Sequence, residues 1–289
     1  MSSIPSFVEA SDETLVAQAC AGDRDALEAL LRRHQSWLYN VALRLFQVRE
    51  DAEDATQEAL IRIATHLSSF RGDSAFRTWA YRIAANHFLD RKRSKAEEAV
   101  HDFTCYAGYL EQAEDGDLQG CASEQERHVL VEEARLSCMM GMLLCFNREQ
   151  RLVFILGEIL DVGDVLGAEV TGLSRANFRQ QLHRAREQLN SFLGERCGLV
   201  DERNPCRCAR KTAAFVKDGI VDPQRLVFVA PHLTKVREAA PQKVQQFDAA
   251  MEQSRLALYG EHPFYTGPDL ATKLMTMIDG PGFKQVFQL

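Results

Sequence analysis

The sequence predicts an all-α protein made of two helical domains, a linker and a helical extension. Through residues 11–95 and 126–195, apolar residues recur every three or four positions, as they do on one face of an α-helix. No segment shows the two-residue alternation of a half-buried strand. Residues 96–125 are acidic, contain glycines and have no sustained apolar period, which is typical of a linker that could hold a short helix.

Helix start signals divide the first periodic block into four helices. Asp12 and Asp23 can cap the first two, because a short acidic side chain accepts the free N–H groups of a helix start. Asp51 begins a third helix, in which small and branched apolar residues recur every four positions. A fourth is predicted over about residues 75–92, after a glycine-containing break.

Residues 196–289 form the predicted helical extension. They begin with clustered cysteines and contain several proline and glycine turn signals. An amphipathic run over residues 244–258 predicts a helix in this part of the chain.

Charge is segregated along a chain whose net charge is −7. Residues 71–95 contain seven Lys and Arg against two Asp and Glu, and residues 174–211 contain nine against four. Residues 96–146, between them, contain two against eleven. Two basic blocks separated by an acidic one indicate two anion-binding surfaces, with ordinary solvated helix faces as the alternative.

Residues 168–186 have the pattern of a helix-turn-helix. Gly172 supplies a residue that adopts the left-handed turn conformation easily, and Ser174 can cap the second helix. Ala168 is small enough to let the two helices cross closely. Gly167 lies in the first helix, where glycine costs about 1 kcal/mol relative to alanine, so this helix is predicted to be weak.

Polar side chains near the start of the second helix have the chemistry of base recognition. Arg pairs bidentately with guanine, and Asn or Gln with adenine, when a helix N-terminus enters the major groove. Basic residues further along suit phosphates. A helical hairpin with a basic face is the alternative. The predicted DNA contacts of this helix are Ser174, Arg175, Asn177, Arg179, Gln180, His183 and Arg184.

Three segments resemble the extracytoplasmic-function (ECF) group of bacterial RNA polymerase sigma factors. Residues 51–62 (DAEDATQEALIR) are similar to the core-polymerase-binding helix of that family. Residues 70–93 (FRGDSAFRTWAYRIAANHFLDRKR) are similar to its promoter-melting segment, and residues 182–189 (LHRAREQL) to the end of its region four. The implied domains are region two at 11–95, an acidic linker at 96–125, region four at 126–195 and a cysteine-containing extension at 196–289.

The resemblance implies a sigma factor that binds RNA polymerase core and directs promoter-specific transcription initiation. It would read the minus-thirty-five element as duplex and the minus-ten element as melted DNA, with a flipped base held by the loop at residues 71–75. The promoter-melting segment combines cations with aromatic rings, as single-stranded DNA binding requires. Its predicted DNA contacts are Arg71, Asp73, Ser74, Arg77, Arg82, Asn86, Arg91 and Arg93.

The resemblance also implies protein partners. The core-binding helix would dock on the clamp helices of the polymerase's largest subunit through Asp51, Asp54, Gln57 and Glu58. Its acidic and amide face could meet a basic partner, although an ordinary solvated helix face is the alternative. An anti-sigma factor is a further candidate partner.

Three clustered cysteines lie beyond the family pattern. Cys197, Cys206 and Cys208 could bind zinc, with His183, His232 or another group as a fourth ligand, or could form a redox switch. A turn whose cysteines have neither role is the alternative. No other cofactor is predicted from the sequence.

Several function classes are not expected. The chain has no glycine-rich phosphate loop, no HExxH metal motif and no nucleophile elbow, so no catalytic site is predicted. No stretch approaches the roughly 18 apolar residues of a membrane helix, and the start lacks a signal-peptide pattern. We therefore expect a cytoplasmic protein without membrane insertion. A helix-turn-helix regulator or a metal or redox sensor acting without polymerase is the alternative, but a simple repressor does not need the segment at residues 51–62.

Overall fold

A computed structural model describes residues 10–118, 123–229 and 264–278. The described residues contain helices and no strand, so the predicted all-α class is confirmed. A short 3₁₀ turn follows α3, and a π-helical turn continues α8. The helices are α1 (Asp12–Cys20), α2 (Arg24–Phe46), α3 (Arg49–Thr65), α4 (Phe76–Asp90), α5 (Lys95–Ala99), α6 (Phe103–Gln112), α7 (Glu124–Leu143), α8 (Arg148–Phe154), α9 (Asp164–Thr171), α10 (Arg175–Arg196), α11 (Cys208–Lys217) and α12 (Leu270–Ile278).

The chain divides into two compact units that are each built from separate stretches of sequence. The described part of the first unit contains residues 10–92, 163–178 and 265–278. The second contains the described residues of 93–162 and 179–264. The first unit therefore combines α1–α4 with α9 and α12, a grouping that the sequence periodicity did not predict.

The helix starts in the first unit differ in detail from the predicted ones. Asp23 caps α2 as predicted, because its carboxylate accepts a backbone N–H three residues on, at 3.1 Å. The cap of α1 is Ser11 and not Asp12. The carboxylate of Asp12 is instead 2.6 Å from the Arg33 guanidinium and 3.0 Å from the His34 imidazole, so it ties α1 to α2.

The segment predicted as a linker is largely helical in the second unit, where it forms α5 and α6. Glu97 of α5 is almost fully buried and accepts hydrogen bonds from Arg148 at 2.7 and 2.8 Å and from Arg151 at 2.9 Å. Burial alone would raise the pKa of Glu97, but the hydrogen bonds from Arg148 and the Ser94 backbone and the charges of both arginines lower it to about 2. The predicted linker thus begins with a buried ion-pair network.

Arg151 also caps the C-terminal end of α7. Its guanidinium donates to the carbonyl oxygens of Leu143 at 2.9 Å and Phe146 at 3.0 Å. The last carbonyls of a helix have no partner within the helix, so a buried cation here satisfies groups that would otherwise be desolvated without compensation.

The extension packs on α7 through two features. Helix α11 lies against α7. Further along, the buried carboxylate of Glu133 accepts the backbone N–H groups of Val227, Phe228 and Val229 at 2.7–3.1 Å. The predicted helix at residues 244–258 and the candidate ligand His232 lie outside the described residues.

Candidate nucleic-acid interface

The predicted helix-turn-helix is formed by α9, a tight turn and the start of α10. Gly172 ends α9 in the left-handed conformation, with φ of 71°. The Leu173 N–H donates to the Ala168 carbonyl at 3.1 Å and closes the turn. The Ser174 hydroxyl accepts the Asn177 N–H at 3.2 Å, so Ser174 is the cap of α10. Both local signals therefore act as the sequence predicts.

Gly167 has a packing role that its low helix propensity did not predict. A Cβ atom at this position would lie 2.3 Å from the ring of Phe178, which is 1% exposed. Only glycine lets the aromatic ring of α10 rest directly on the α9 backbone, so Gly167 contributes to the close crossing beside Ala168, which is also buried. The propensity penalty of glycine in α9 is offset by this contact.

The substitution Gly167→Ala is expected to destabilise the protein by about 1–3 kcal/mol, because the added methyl group overpacks against Phe178. Urea unfolding followed by circular dichroism measures the change. Gly194→Ala in α10 is the matched control: nothing lies within 4 Å of its Cβ position, and alanine favours the helix there. Equal stability of the two variants would contradict the packing role of Gly167.

The start of α10 presents the predicted base-reading side chains to solvent. Arg175 is held near Asp164 of α9, with 3.2 Å between its guanidinium and the carboxylate. The side chain of Ser174 is engaged with the backbone as a cap, which makes it a positioning residue for its neighbours. The exposed predicted contacts are Arg175, Asn177, Arg179, Gln180, His183 and Arg184.

The loop before α4 and the outer face of α4 form the second predicted surface. Gly72 has φ of 77° and turns the loop. The rings of Phe70, Phe76 and Trp79 pack on one another with centroids 5.4–5.7 Å apart, so this aromatic cluster supports the loop from beneath. The exposed predicted contacts here are Arg71, Asp73, Ser74, Arg77, Arg82, Asn86 and, in the second unit, Arg93.

Arg91 is less exposed than the other predicted DNA contacts. Its guanidinium donates to Glu58 of α3 at 3.0 Å and lies 5.7 Å from the ring centroid of Phe46. A residue predicted to contact DNA and a residue predicted to contact the polymerase therefore form an ion pair.

Residues of the two predicted DNA surfaces line one groove within the first unit. Helix α4 packs against α9, and the Arg82 Nε–H donates to the Glu169 carbonyl at 2.7 Å. A cavity of about 450 Å³ lies beside this contact. Its lining includes Arg82 and Asn86 from the promoter-melting segment and Arg175 from the helix-turn-helix. Periodicity gave the buried face of each helix but not its packing partner.

The predicted polymerase-binding residues share one side of α3. Asp54 and Glu58 are exposed, whereas Asp51 and Gln57 are half-buried. The Gln57 amide donates to the sulfur of Met277 at 3.0 Å. This contact comes from α12, which packs on both α2 and α3.

The clustered cysteines of the extension gain a fourth member in the structure. Cys197 and Cys206 are joined by a backbone bridge, and Cys208 begins α11, which packs on α7 near Cys138. Burial raises the pKa of the Cys138 and Cys206 thiols, and it raises the pKa of Cys208 to about 12. The neighbouring thiols add to each of these shifts. Cys138 lies far from the others in sequence, so spacing gave no signal for it.

No preformed metal site accompanies this cluster. Within the described ranges, no group of three or more His, Cys, Asp or Glu side chains is arranged to hold a metal ion. The prediction of zinc at Cys197, Cys206 and Cys208 therefore gains no support from the structure. None of the helices in those ranges combines the length and apolar character that a membrane-spanning segment requires.

The described helices include a helix-turn-helix, an arrangement that many proteins use to read duplex DNA. The Sigma-70 region 2 family matches residues 30–98. RNA polymerase sigma factor CnrH of Cupriavidus metallidurans is 31% identical over 194 residues, which are 64% of this chain and 95% of CnrH. The chain belongs to the ECF RNA polymerase sigma factors.

Two other curated relatives, which are also named as sigma factors, agree with this assignment. ECF RNA polymerase sigma factor SigM of Mycobacterium tuberculosis is 29% identical over 187 residues, covering 64% of this chain and 86% of SigM. ECF RNA polymerase sigma-E factor of Escherichia coli is 29% identical over 184 residues, covering 63% and 93%. A solved structure of CnrH in complex with the cytosolic domain of CnrY matches 63% of this chain and 96% of that chain, at 24% identity and a TM-score of 0.44. The function of the family is promoter-directed initiation of transcription.

Proposed function

We propose that this sigma factor recruits RNA polymerase core to promoters whose minus-thirty-five element is read by α10 and whose minus-ten element is read by α4 and its preceding loop. The observation that carries the proposal is the exposed set of Arg, Asn and Gln side chains at the capped start of α10. In this position such side chains can pair bidentately with base edges in the major groove.

The minus-ten element would meet the loop at residues 71–75 and the outer face of α4. Exposed cations there can follow a single-stranded backbone, while a base extruded from the duplex needs a pocket to offset its lost stacking. The turn at Gly72 and the aromatic cluster beneath it give the loop a defined shape. We expect Arg71, Asp73 and Ser74 to surround the extruded base.

Simultaneous reading of both elements requires α4 to leave α9. Positions minus ten and minus thirty-five are about 25 base pairs apart, which is about 85 Å along B-form DNA. Arg82 and Arg175, one from each predicted surface, line a single cavity in the first unit. We infer that this arrangement belongs to a chain not engaged with a promoter, and that the Arg82–Glu169 contact opens on binding.

Core polymerase would dock on the α3 side that carries Asp51, Asp54, Gln57 and Glu58. The exposed carboxylates of Asp54 and Glu58 suit a basic partner surface, since complementary charge steers docking and fixes its register.

We propose an anti-sigma protein as a further partner of this chain. We also infer that the chain works in the cytoplasm and has no catalytic site. The relatives are named as sigma factors, which favours this function over a regulator acting without polymerase.

Substitution at the start of α10 tests the proposed reading of the minus-thirty-five element. With Arg179→Ala, the apparent affinity for the promoter is expected to weaken by about 1–3 kcal/mol. The variant is also expected to lose its preference for one base pair of the minus-thirty-five element. Competition among promoter variants in run-off transcription with core polymerase measures both effects. Arg184→Ala is the control, expected to weaken all promoters equally as a phosphate contact does. Unchanged discrimination in Arg179→Ala would count against base reading by α10.

A further inference from the structure

Residues 265–278 fill a groove on α2 and α3 with one apolar face of α12. The buried side chains recur with the period of a helix, so a single stripe contacts the groove. The opposite face, with Thr272, Lys273 and Thr276, is exposed. The buried residues of α12 are Leu270, Ala271, Leu274, Met275 and Ile278.

Two amides on α2 bind the main chain of this segment. The side chain of Asn40, which is 0% exposed, accepts the Tyr265 N–H at 2.8 Å and donates to the Tyr265 carbonyl at 2.7 Å. The Gln35 side chain accepts the Ala271 N–H at 2.9 Å, one of the N–H groups that a helix start leaves unpaired. The groove thus binds the main chain of this segment at two places, at Tyr265 before α12 and in the first turn of α12.

The shape of the groove is equally specific. Gly267 lies against Tyr39 so closely that a Cβ atom would be 2.7 Å from the ring. The Arg44 guanidinium is bound by the carbonyl and side-chain oxygens of Asn40 and lies 5.4 Å from the ring centroid of Tyr265. At the rim, Arg32 pairs with Asp269 at 2.6 Å.

The groove borders the side of α3 proposed to dock on the polymerase. The Gln57 amide, one of the four residues assigned to docking, donates to the sulfur of Met277 in α12. A helix of the polymerase that reached Gln57 would meet Met277 in the same space.

A member of the same family is much shorter than this chain. CnrH is matched over 95% of its length by 194 residues, whereas 36% of the present chain remains outside that match. CnrH therefore has no room for a counterpart of the whole extension. A segment held by specific contacts beside the proposed docking surface is suited to a competing role.

We propose that the α2–α3 groove is an interaction surface for an amphipathic helix, and that the chain's own residues 265–278 occupy it in competition with core polymerase. This inference rests on the proposed docking of α3. Covalent attachment makes the internal helix an intramolecular competitor, so it weakens core binding without any separate protein. Core polymerase binds when the segment leaves the groove.

The test compares full-length variants in which only the segment is changed. Leu274→Asp puts a charge on the buried face of α12, whereas Thr276→Asp puts the same charge on its exposed face. Titration of fluorescently labelled protein with core polymerase gives the dissociation constants. We expect Leu274→Asp to bind about fivefold or more tightly than the unaltered chain, and Thr276→Asp to bind equally. A synthetic peptide of residues 264–278 should return Leu274→Asp to the weaker affinity.

A second variant distinguishes release of the segment from a general loss of structure in α12. Gly267→Ala lies before the helix and adds only a methyl group against Tyr39, so it must shift the affinity in the same direction. If the unaltered chain and both groove variants bind core with equal constants, the competition is disproved while polymerase docking stands. If none of them binds core, the proposed docking itself fails, and this inference with it.

Discussion

The substitution Glu97→Gln is expected to lower the free energy of unfolding by about 3–5 kcal/mol at neutral pH. Glu97 is 4% exposed and is the shared partner of two buried guanidinium groups, those of Arg148 and Arg151. Removing its charge leaves two desolvated cations without their counter-ion, which is far more unfavourable than losing a surface ion pair. Urea unfolding at pH 7 measures the difference.

The buried ion-pair network of Glu97 also predicts that the stability of the protein depends on pH. The pKa of Glu97 falls from a usual 4.5 to about 2 in the folded chain. A carboxyl group whose pKa is lower in the folded state stabilises the fold above its unfolded pKa and stops doing so as pH falls through its folded pKa. The stability difference between the unaltered chain and Glu97→Gln should therefore be full at pH 7 and should shrink between pH 4.5 and 2.

Glu98→Gln is the matched control, since Glu98 is the exposed neighbour of Glu97 in α5. Its stability is expected to stay within about 0.5 kcal/mol of the unaltered chain. A Glu97→Gln variant as stable as Glu98→Gln would show that the buried network does not hold α5 to α8.

The substitution Asp54→Lys is expected to weaken binding of core polymerase at least about tenfold, or 1.4 kcal/mol. Asp54 is exposed on α3, so reversing its charge changes the proposed docking surface without disturbing a core position. A favourable charge contact becomes a repulsive one, and like charges across an interface are unfavourable by several kcal/mol. The difference should narrow at high salt, because salt screens exposed charges.

Glu13→Lys provides the control for net charge. Glu13 is an exposed acid on α1, outside the proposed docking residues, and its reversal changes the total charge by the same amount. Core affinity measured by titration at two salt concentrations should be unchanged in this variant. Equal affinities for Asp54→Lys and Glu13→Lys would remove α3 from the docking surface.

Local signals made the helix-turn-helix predictable. Gly172 turns the chain because of its own conformational freedom, and Ser174 caps α10 through a bond to a residue three positions on. Apolar periodicity likewise predicted the helices of the first block. Each of these features depends on residues that are neighbours in the sequence, so the pattern contains the information.

Long-range packing accounts for what the sequence did not predict. Gly167 looked unfavourable because its partner, the Phe178 ring, is known only once α9 and α10 cross. Glu97 looked like one more acid in an acidic segment, although its two arginines lie more than 50 residues away. The docking of α12 on α2 joins residues more than 220 positions apart, and no periodicity identifies such a partner.

The central claim is that this chain gives RNA polymerase core the ability to start at specific promoters. Run-off transcription with saturating chain, purified core and a library of promoter sequences measures this directly. We expect discrete start sites that require the chain and share sequence preferences at both promoter elements. Transcripts that are identical with and without the chain would contradict the claim.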